Sequence, residues 1–425
     1  MPADGSSDRA HHRRRMSGRD PSEHHRAATP LELLFDLTFV VAFGIAANEL
    51  AHALAESHFW SGVTGFIFAT FAVSWAWINY SWFASAYDTD DWVIRLATMV
   101  QMLGVIVLAL GLEQAFASIE EGDVLDNGVM VAGYVVMRVP MVFLWLRAAR
   151  HDPPRRPAAA AYIWTISVSQ VFWVVLAIVD LPLGTTAVFG AVLIGIEMLG
   201  PYIAERRKGG TPWNAGHIAE RYGLLVIITL GEGIIGTVAS INAVVHGASG
   251  WTLDAAVVGF AGVGLTFAAW WTYFAIPWAD VLALHRERSF IWGYGHIPIF
   301  GALAAIGAGL HVAAYYLEHE TTLGVTGTVL ATAIPVSVYV AFLYGIYAAF
   351  ARHLDPFHLS LLAGTAGVIA LAVVLAAVGA GVAVCLVVLM FAPVVTVLGY
   401  ETLGHRHVEE ALRRMRPTGS PREAA

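Results

Sequence analysis

Long apolar segments recur along almost the whole chain, and short polar stretches separate them. Each segment has about 20 residues or more, enough for a helix to cross the ~30 Å hydrocarbon core of a bilayer. The segments are about twice as long as the strands of membrane barrels and lack their alternation. The pattern predicts an all-α polytopic membrane bundle of twelve transmembrane helices, at residues 31–54, 61–86, 94–118, 127–148, 159–179, 186–204, 218–242, 252–276, 290–317, 324–350, 358–378 and 381–401.

Positive charges are confined to alternate loops. Arginine or lysine follows the fourth, sixth, eighth and tenth predicted helices, as at Arg150 and Lys208, but not the odd-numbered ones. Because positively charged loops stay in the cytoplasm, we expect both termini there. The basic tails at residues 1–28 and 403–425 are predicted to be cytoplasmic, and the first of them disordered.

Composition supports a membrane protein and excludes several kinds of site. The chain is 57% hydrophobic and 13% charged, whereas soluble domains are about 25% charged. Its single cysteine, Cys385, excludes an internal disulfide and any multi-cysteine metal site. Zinc-type histidine spacing, a glycine-rich nucleotide loop and a nucleophile elbow are not found. We therefore predict no cofactor, no metal site, no catalytic residue and no nucleic-acid partner.

The two halves of the chain share features in the same order. An aromatic sequence near the end of the second helix, WAWINYSW, resembles AAWWTYFA in the eighth. The further matches are Gly111 with Gly309 in the third and ninth helices, and Pro140 with Pro335 in the fourth and tenth. The order predicts two parallel six-helix repeats, at residues 29–208 and 217–402, joined by a cytoplasmic linker at 209–216.

Four ordered motifs resemble those of the bacterial low temperature requirement A family: LELLFDLTFVVAF at 31–43, YDTDD at 87–91, HIAERYGLLVIITLGE at 217–232 and GHIPIFG at 295–301. The resemblance implies a multi-pass protein of the bacterial cytoplasmic (inner) membrane, named for a cold-growth phenotype and without an established biochemical activity. One departure is Ala275, where the family often carries an acidic residue, although Asp280 follows shortly.

Charged residues open the first and seventh helices. Glu32 and Asp36 are four residues apart, so they share a helix face. Glu220 and Arg221 begin the seventh helix in a matching position. If the repeat holds, Arg221 reaches the face of Glu32 and Asp36. The four residues then form either an ion-pair cluster at the helix starts or a cytoplasmic gate.

Six further polar residues lie deeper in the helices and are candidates for a substrate or ion pathway: Glu113, Arg138, Glu197, Glu232, His296 and His311. An arginine near the membrane midplane needs a partner, so we expect Arg138 to pair with Glu232, Glu113 or Glu197. His296 and His311 belong either to a proton relay or to bonds with neighbouring helices.

An acidic group follows the second helix. Asp88, Asp90 and Asp91 are able to hold a cation. The favoured alternative is that Asp90 and Asp91 cap the third helix or pair with Arg95.

Four kinds of function fit the sequence. Midplane charges, paired repeats and helix-breaking residues favour a secondary transporter of a small solute or ion, with coupling to protons as one option. An ion channel is the second kind, since the layout also resembles the Phe-Ser-Asp-motif potassium channels, although Phe35-Asp36 lacks the serine. A membrane-embedded lipid-handling enzyme is the third kind, and a structural or signalling membrane protein without transport is the fourth. Besides the lipid bilayer, the predicted partner is an unknown small solute or ion.

Overall fold

A computed structural model describes residues 14–23, 26–207, 209–245, 253–351 and 356–404. Throughout these residues the chain is helical and forms no sheet. The helices are α1 (Pro30–Ala55), α2 (Phe59–Tyr87), α3 (Trp92–Leu110), α4 (Leu112–Glu121), α5 (Gly128–His151), α6 (Arg156–Ile178), α7 (Leu183–Glu205), α8 (Ala215–Val245), α9 (Leu253–Phe274), α10 (Trp278–Leu284), α11 (Ser289–Leu317), α12 (Val325–Ala351), α13 (Pro356–Ala377) and α14 (Val382–Gly399).

Twelve stretches of the described chain are long and apolar enough to cross a membrane. Helices α3 and α4 together make one of them, and α10 extends the stretch that contains α9. The predicted number of spans is confirmed, and most predicted ends agree to within about one helical turn. The protein is therefore a multi-pass membrane protein built from helices.

Gly111 interrupts the third span between α3 and α4. A Cβ atom at this position would lie 2.5 Å from the backbone nitrogen of Met130 at the start of α5. Glycine is thus required by the close approach of two backbones rather than by local propensity. At the other end of α3, the Asp91 side chain accepts a hydrogen bond from the Ile94 backbone nitrogen, which confirms the predicted cap.

The chain divides into two compact units, and the division falls inside helices. One unit combines the described residues up to Ala46 with Trp60–Arg221, and the other combines Ala47–Phe59 with the described residues from Tyr222 onward. Helices α1 and α8 therefore each contribute to both units.

Within the first unit, α3 packs on α5, α5 on α6 and α6 on α7. Helix α2 reaches α7 through a hydrogen bond from the Trp75 indole to Glu197. Two glycines, Gly104 on α3 and Gly133 on α5, allow backbone contact, because a Cβ atom on either would overlap the other helix.

Within the second unit, α11 packs on α12, α12 on α13 and α13 on α14. Helix α14 also packs on α9, where the Thr272 hydroxyl donates to the Pro393 carbonyl oxygen at 3.2 Å. Cys385 is fully buried in an apolar cluster with Val329 and Leu389, as expected for a small core residue.

The N-terminal segment before α1 departs from the predicted disorder where the structure describes it. Met16 is fully buried, and its backbone nitrogen donates to His151 Nδ1 at 3.1 Å. The Asn214 side chain donates to the carbonyl oxygens of Pro21 and Glu23 at 3.1 and 2.9 Å. Hydropathy did not reveal these contacts because, apart from the burial of Met16, they satisfy backbone groups rather than bury apolar side chains. Residues 1–13, 24 and 25, and most of the C-terminal tail, lie outside the described residues.

Candidate functional site

Four charged or polar side chains meet in the first unit and form what we call the charge cluster: Glu32, Asp36, His217 and Arg221. Arg221 Nε and Nη2 donate to the two oxygens of Asp36 at 3.1 and 2.5 Å. Its Nη1 lies 2.9 Å from Glu32 Oε1, and His217 Nε2 lies 3.3 Å from the same carboxylate. All four side chains are 1% exposed or less. The predicted meeting of Arg221 with Glu32 and Asp36 is therefore present.

Local capping explains how the carboxylates are placed. Glu32 Oε2 accepts from the Thr29 backbone nitrogen at 2.8 Å, and Thr29 Oγ1 accepts from the Glu32 nitrogen at 3.2 Å. This reciprocal pair is a capping box, which fixes the first turn of α1. Asp36 follows one turn later and so presents its carboxylate on the same face.

The start of α8 places the cationic side. Asn214 caps the helix, since its Oδ1 accepts from the His217 nitrogen at 2.9 Å. His217 and Arg221 are four residues apart and therefore share a face. The sequence predicts Glu220 in this cluster, and that prediction is wrong because Glu220 is exposed. As the immediate neighbour of Arg221, it points about 100° away around the helix.

Helix α2 closes the cluster from a third side. The Trp77 indole donates to Asp36 Oδ1 at 2.6 Å. The Arg221 guanidinium lies 5.6 Å from the Trp77 ring centre and 5.9 Å from that of Tyr80, close enough for cation–π attraction. Arg221 is thus enclosed by carboxylates and aromatic rings rather than by water.

Charges and hydrogen bonds are not fully balanced in the cluster. Two carboxylates face one guanidinium, so the group carries a formal charge of −1 while His217 is neutral. His217 Nδ1 is buried and has no hydrogen-bond partner among the described residues. Removing one partner of a buried ion pair strongly destabilises a fold, because the other charge is left buried without compensation. The cluster therefore fastens α1 to the first turns of α8.

A second group of charges surrounds the turn between α2 and α3. Arg147 of α5 pairs with Asp91, and both are nearly inaccessible to solvent. Burial favours protonation of Asp91, but hydrogen bonds from Arg147, Ile94 and Arg14 outweigh burial and lower its pKa to about 2. Asp90 pairs with Arg95 at 3.0 Å, as predicted. These residues act in capping and pairing, the favoured of the two predicted roles.

Arg26 and Asp88 lie beside this turn. Burial lowers the pKa of Arg26 to about 10, although its guanidinium donates to the carbonyl oxygens of Ala84 and Ser85. Burial likewise raises the pKa of Asp88, despite a hydrogen bond from the Asp90 backbone nitrogen. Both groups contribute to the electrostatics around Glu32.

Arg138 finds its partner on α7. Its Nη2 donates to Glu197 Oε2 at 2.9 Å, and both side chains are buried. Glu197 also accepts hydrogen bonds from the indoles of Trp75 and Trp173, the latter at 3.0 Å. Four spans therefore converge on one carboxylate. Of the three predicted partners for Arg138, Glu197 is the one present.

Two small cavities touch Glu197. One of about 30 Å³ is lined by Phe68, Tyr134 and Trp173, and one of about 10 Å³ by Asn79 and Thr165. A water molecule needs about 10–15 Å³ of such space. The cavities have room for one or two water molecules and none for an organic solute.

Glu113 is exposed in the first turn of α4 and takes no part in that pair. Its position follows from Gly111, which ends α3 two residues earlier and restarts the helix. The sequence presents the span as one continuous helix and does not reveal that Gly111 divides it just before Glu113.

Glu232 stands apart from the other charges. It lies near the middle of α8, is 5% exposed, and has no ion-pair or hydrogen-bond partner among the described residues. Its backbone touches Gly307 of α11, since a Cβ atom there would lie 2.5 Å from the Glu232 carbonyl oxygen. An unpaired carboxylate buried in an apolar bundle is costly, so this group needs a proton or a cation beside it.

The two predicted histidines have different surroundings. His296 is fully buried, and its Nδ1 donates to the Trp292 carbonyl oxygen at 2.7 Å, which leaves Nε2 to accept from the Tyr273 hydroxyl at 3.0 Å. This is the predicted bond to a neighbouring span. His311 is half-buried, and its ring lies against Gly236 of α8.

One member of the charge cluster, His217, and the tryptophan that donates to Asp36, Trp77, are not among the predicted site residues. His217 is four residues before Arg221, and this spacing predicts that the two side chains share a helix face. Trp77 is 41 residues from Asp36, and nothing in the pattern of α2 distinguishes it from the other tryptophans of that helix.

Comparisons with known proteins agree with the motifs. The family model described as bacterial low temperature requirement A protein matches residues 27–393. The uncharacterized protein RA0937 of Rhizobium meliloti (strain 1021) is 26% identical over 332 residues, which cover 74% of this chain and 75% of that protein. Among solved structures, none matches.

Proposed function

The chain belongs to the bacterial low temperature requirement A family, and from this premise we propose that it is a secondary transporter of a small solute or ion, with Glu232 as its ion-binding carboxyl group. One observation carries the proposal: Glu232 is buried near the middle of α8 without a partner among the described residues. Ionisable groups inside membrane spans are rare and usually mark pathways for protons or ions.

The other charges serve different purposes in this proposal. Arg138 and Glu197 neutralise each other, and the Trp173 indole donates to the carboxylate oxygen that Arg138 does not contact. Glu113 is exposed. The charge cluster fastens the start of α8 to α1 and controls access from that end. Among these groups, Glu232 is the buried carboxyl group that has neither an ion-pair nor a hydrogen-bond partner within the described part of the chain.

The wider setting is part of the proposal. We place the protein in the bacterial inner membrane with both termini in the cytoplasm, as the loop charges indicate. We also propose that the two halves are parallel six-helix repeats. The packing order supports this, because the third to sixth spans of each half pack in sequence and the sixth contacts the second.

Reconstitution tests the transport activity. Purified full-length protein is placed in liposomes that contain a pH-sensitive dye, and gradients of Na⁺, K⁺ or pH are imposed in turn. We expect proton movement above that of empty liposomes, and Glu232→Gln to abolish it because an amide has neither a titratable proton nor a negative charge.

Glu113→Gln is the matched control, since it removes an exposed carboxylate of the same type. Its flux should equal that of the unmodified protein. Wild-type liposomes that are no more permeable than empty ones under every gradient would contradict the proposal, as would a Glu232→Gln variant with normal flux.

A further inference from the structure

A line of titratable groups leads from Glu232 to one end of the second unit. Gly307, His311 and Tyr315 follow one another at four-residue intervals on α11, so they lie along one face. Gly307 touches Glu232 at one end of this line. Three acidic side chains act electrostatically on Tyr315 at the other end.

Glycines bring the beginning of the line together. A Cβ atom on Gly236 would lie 3.0 Å from the His311 ring and 2.5 Å from the Gly307 carbonyl oxygen. Gly236 is one turn beyond Glu232 on α8. The His311 imidazole therefore meets α8 at Gly236, about 6 Å along the helix axis from the position of Glu232.

His311 is suited to exchange protons. It is half-buried, and no ion pair or hydrogen bond occupies either ring nitrogen among the described residues. The described residues packed around His311 and Glu232 are uncharged. Thr266 of α9 lies against Gly233, the Ser240 hydroxyl donates to the Leu310 carbonyl oxygen, and α12 meets α11 at Gly309.

The far end of the line is acidic. Glu49, Glu318 and Glu320 lie near enough to act electrostatically on the Tyr315 hydroxyl. Glu318 and Glu320 are exposed, just after the end of α11. A group of carboxylates at the entrance of a path raises the local concentration of cations, including protons.

We propose that the ion bound by Glu232 is a proton, and that it travels between the acidic end and Glu232 through His311. This inference rests on the proposed function and names its coupling ion. Imidazole and phenol carry exchangeable protons but are poor ligands for Na⁺ or K⁺, so the chemistry of the line favours a proton over an alkali cation. His311 and Glu232 do not touch, so the proposed transfer requires a water molecule between them.

Infrared difference spectroscopy tests the relay without needing transport. The carbonyl stretch of the protonated Glu232 carboxyl group is identified by its loss in Glu232→Gln, and its intensity is followed against pH in the full-length protein in detergent. In His311→Gln we expect the midpoint to rise by about half a pH unit, because the imidazole N–H that supports the carboxylate through water is gone. Proton uptake by liposomes should slow in the same variant.

His52→Gln is the matched control, because His52 is an exposed histidine of the same unit and pairs only with Glu56 among the described residues. It should change neither the midpoint nor the flux. If His311→Gln also leaves both unchanged, the relay is refuted while transport through Glu232 stands.

Two other results separate the proposals. Absence of flux in the wild-type protein, together with the midpoint shift in His311→Gln, would refute the transporter and still support the link between the two residues. A Glu232 band that responds to Na⁺ concentration but not to His311→Gln would assign the site to a metal cation and overturn the proton relay.

Discussion

Arg221 is the residue on which the charge cluster depends, because it contacts both Glu32 and Asp36. Its backbone position follows from the sequence, since it opens an apolar segment. Its partners lie 185 residues or more away, and only the fold brings them within 3 Å.

Replacing Arg221 with methionine should lower the free energy of unfolding by about 3–5 kcal/mol, since it leaves two buried carboxylates without a counter-charge. Thermal unfolding of the purified protein in detergent measures the effect. Glu220→Gln, one residue away and exposed, should change stability by less than about 0.5 kcal/mol. If both substitutions change the free energy of unfolding by equal, small amounts, the cluster does not stabilise the contact between α1 and α8.

Asp91 should make stability depend on acid pH. Its pKa falls from 3.8 in its ordinary state to about 2 in the folded protein, so the folded state binds the proton more weakly than the unfolded one. The lowered pKa of Asp91 contributes about 2 kcal/mol to the free energy of unfolding. This contribution is present above pH ~4 and is lost as pH falls toward 2.

The difference in unfolding temperature between the wild-type protein and Asp91→Asn measures this contribution. It should be constant from neutral pH down to about pH 5 and shrink below about pH 4. A difference that is independent of pH would contradict the assignment. Asp90→Asn, at a pair that is half-exposed, should show little difference at any pH.

At the scale of helices, hydropathy predicts the elements well and their interruptions poorly. The break at Gly111 and the short helix α10 both fall inside stretches that the sequence presents as continuous. Glycines also decide which helices approach closely, as at the contact of Gly307 with Glu232. Their role depends on the surface opposite, which a single sequence does not reveal.

Gly307→Ala should destabilise the packing of α8 on α11 by about 1–3 kcal/mol, because the new methyl group would meet backbone atoms that have no room to move. Gly345→Ala on α12 is the matched control, since nothing lies within 4 Å of its Cβ position. There the substitution should be neutral or stabilising by about 0.5–1 kcal/mol. Unfolding in detergent compares the two, and similar values would argue against a tight crossing at Gly307.

For the molecule as a whole, the charge pattern of the loops predicts the orientation in the membrane. Asp123 and Arg207 are exposed residues in loops that the rule assigns to opposite sides. In a Cys385→Ala background, Asp123→Cys should react with a membrane-impermeant thiol reagent in intact cells. Arg207→Cys should react only after permeabilisation, and labelling of both from outside would refute the orientation.

The sequence by itself determined the fold class, the number of membrane helices and the family, because hydropathy and short motifs are local properties of the chain. It also identified most of the charged residues that matter, since an ionisable group in an apolar segment is conspicuous. Only the tertiary structure decided which of them are neutralised. It paired Arg138 with Glu197 across 59 residues, excluded Glu113 and Glu220, and left Glu232 without a partner among the described residues. Pairing depends on which helix faces meet, and that is settled by packing between distant segments rather than by any one of them.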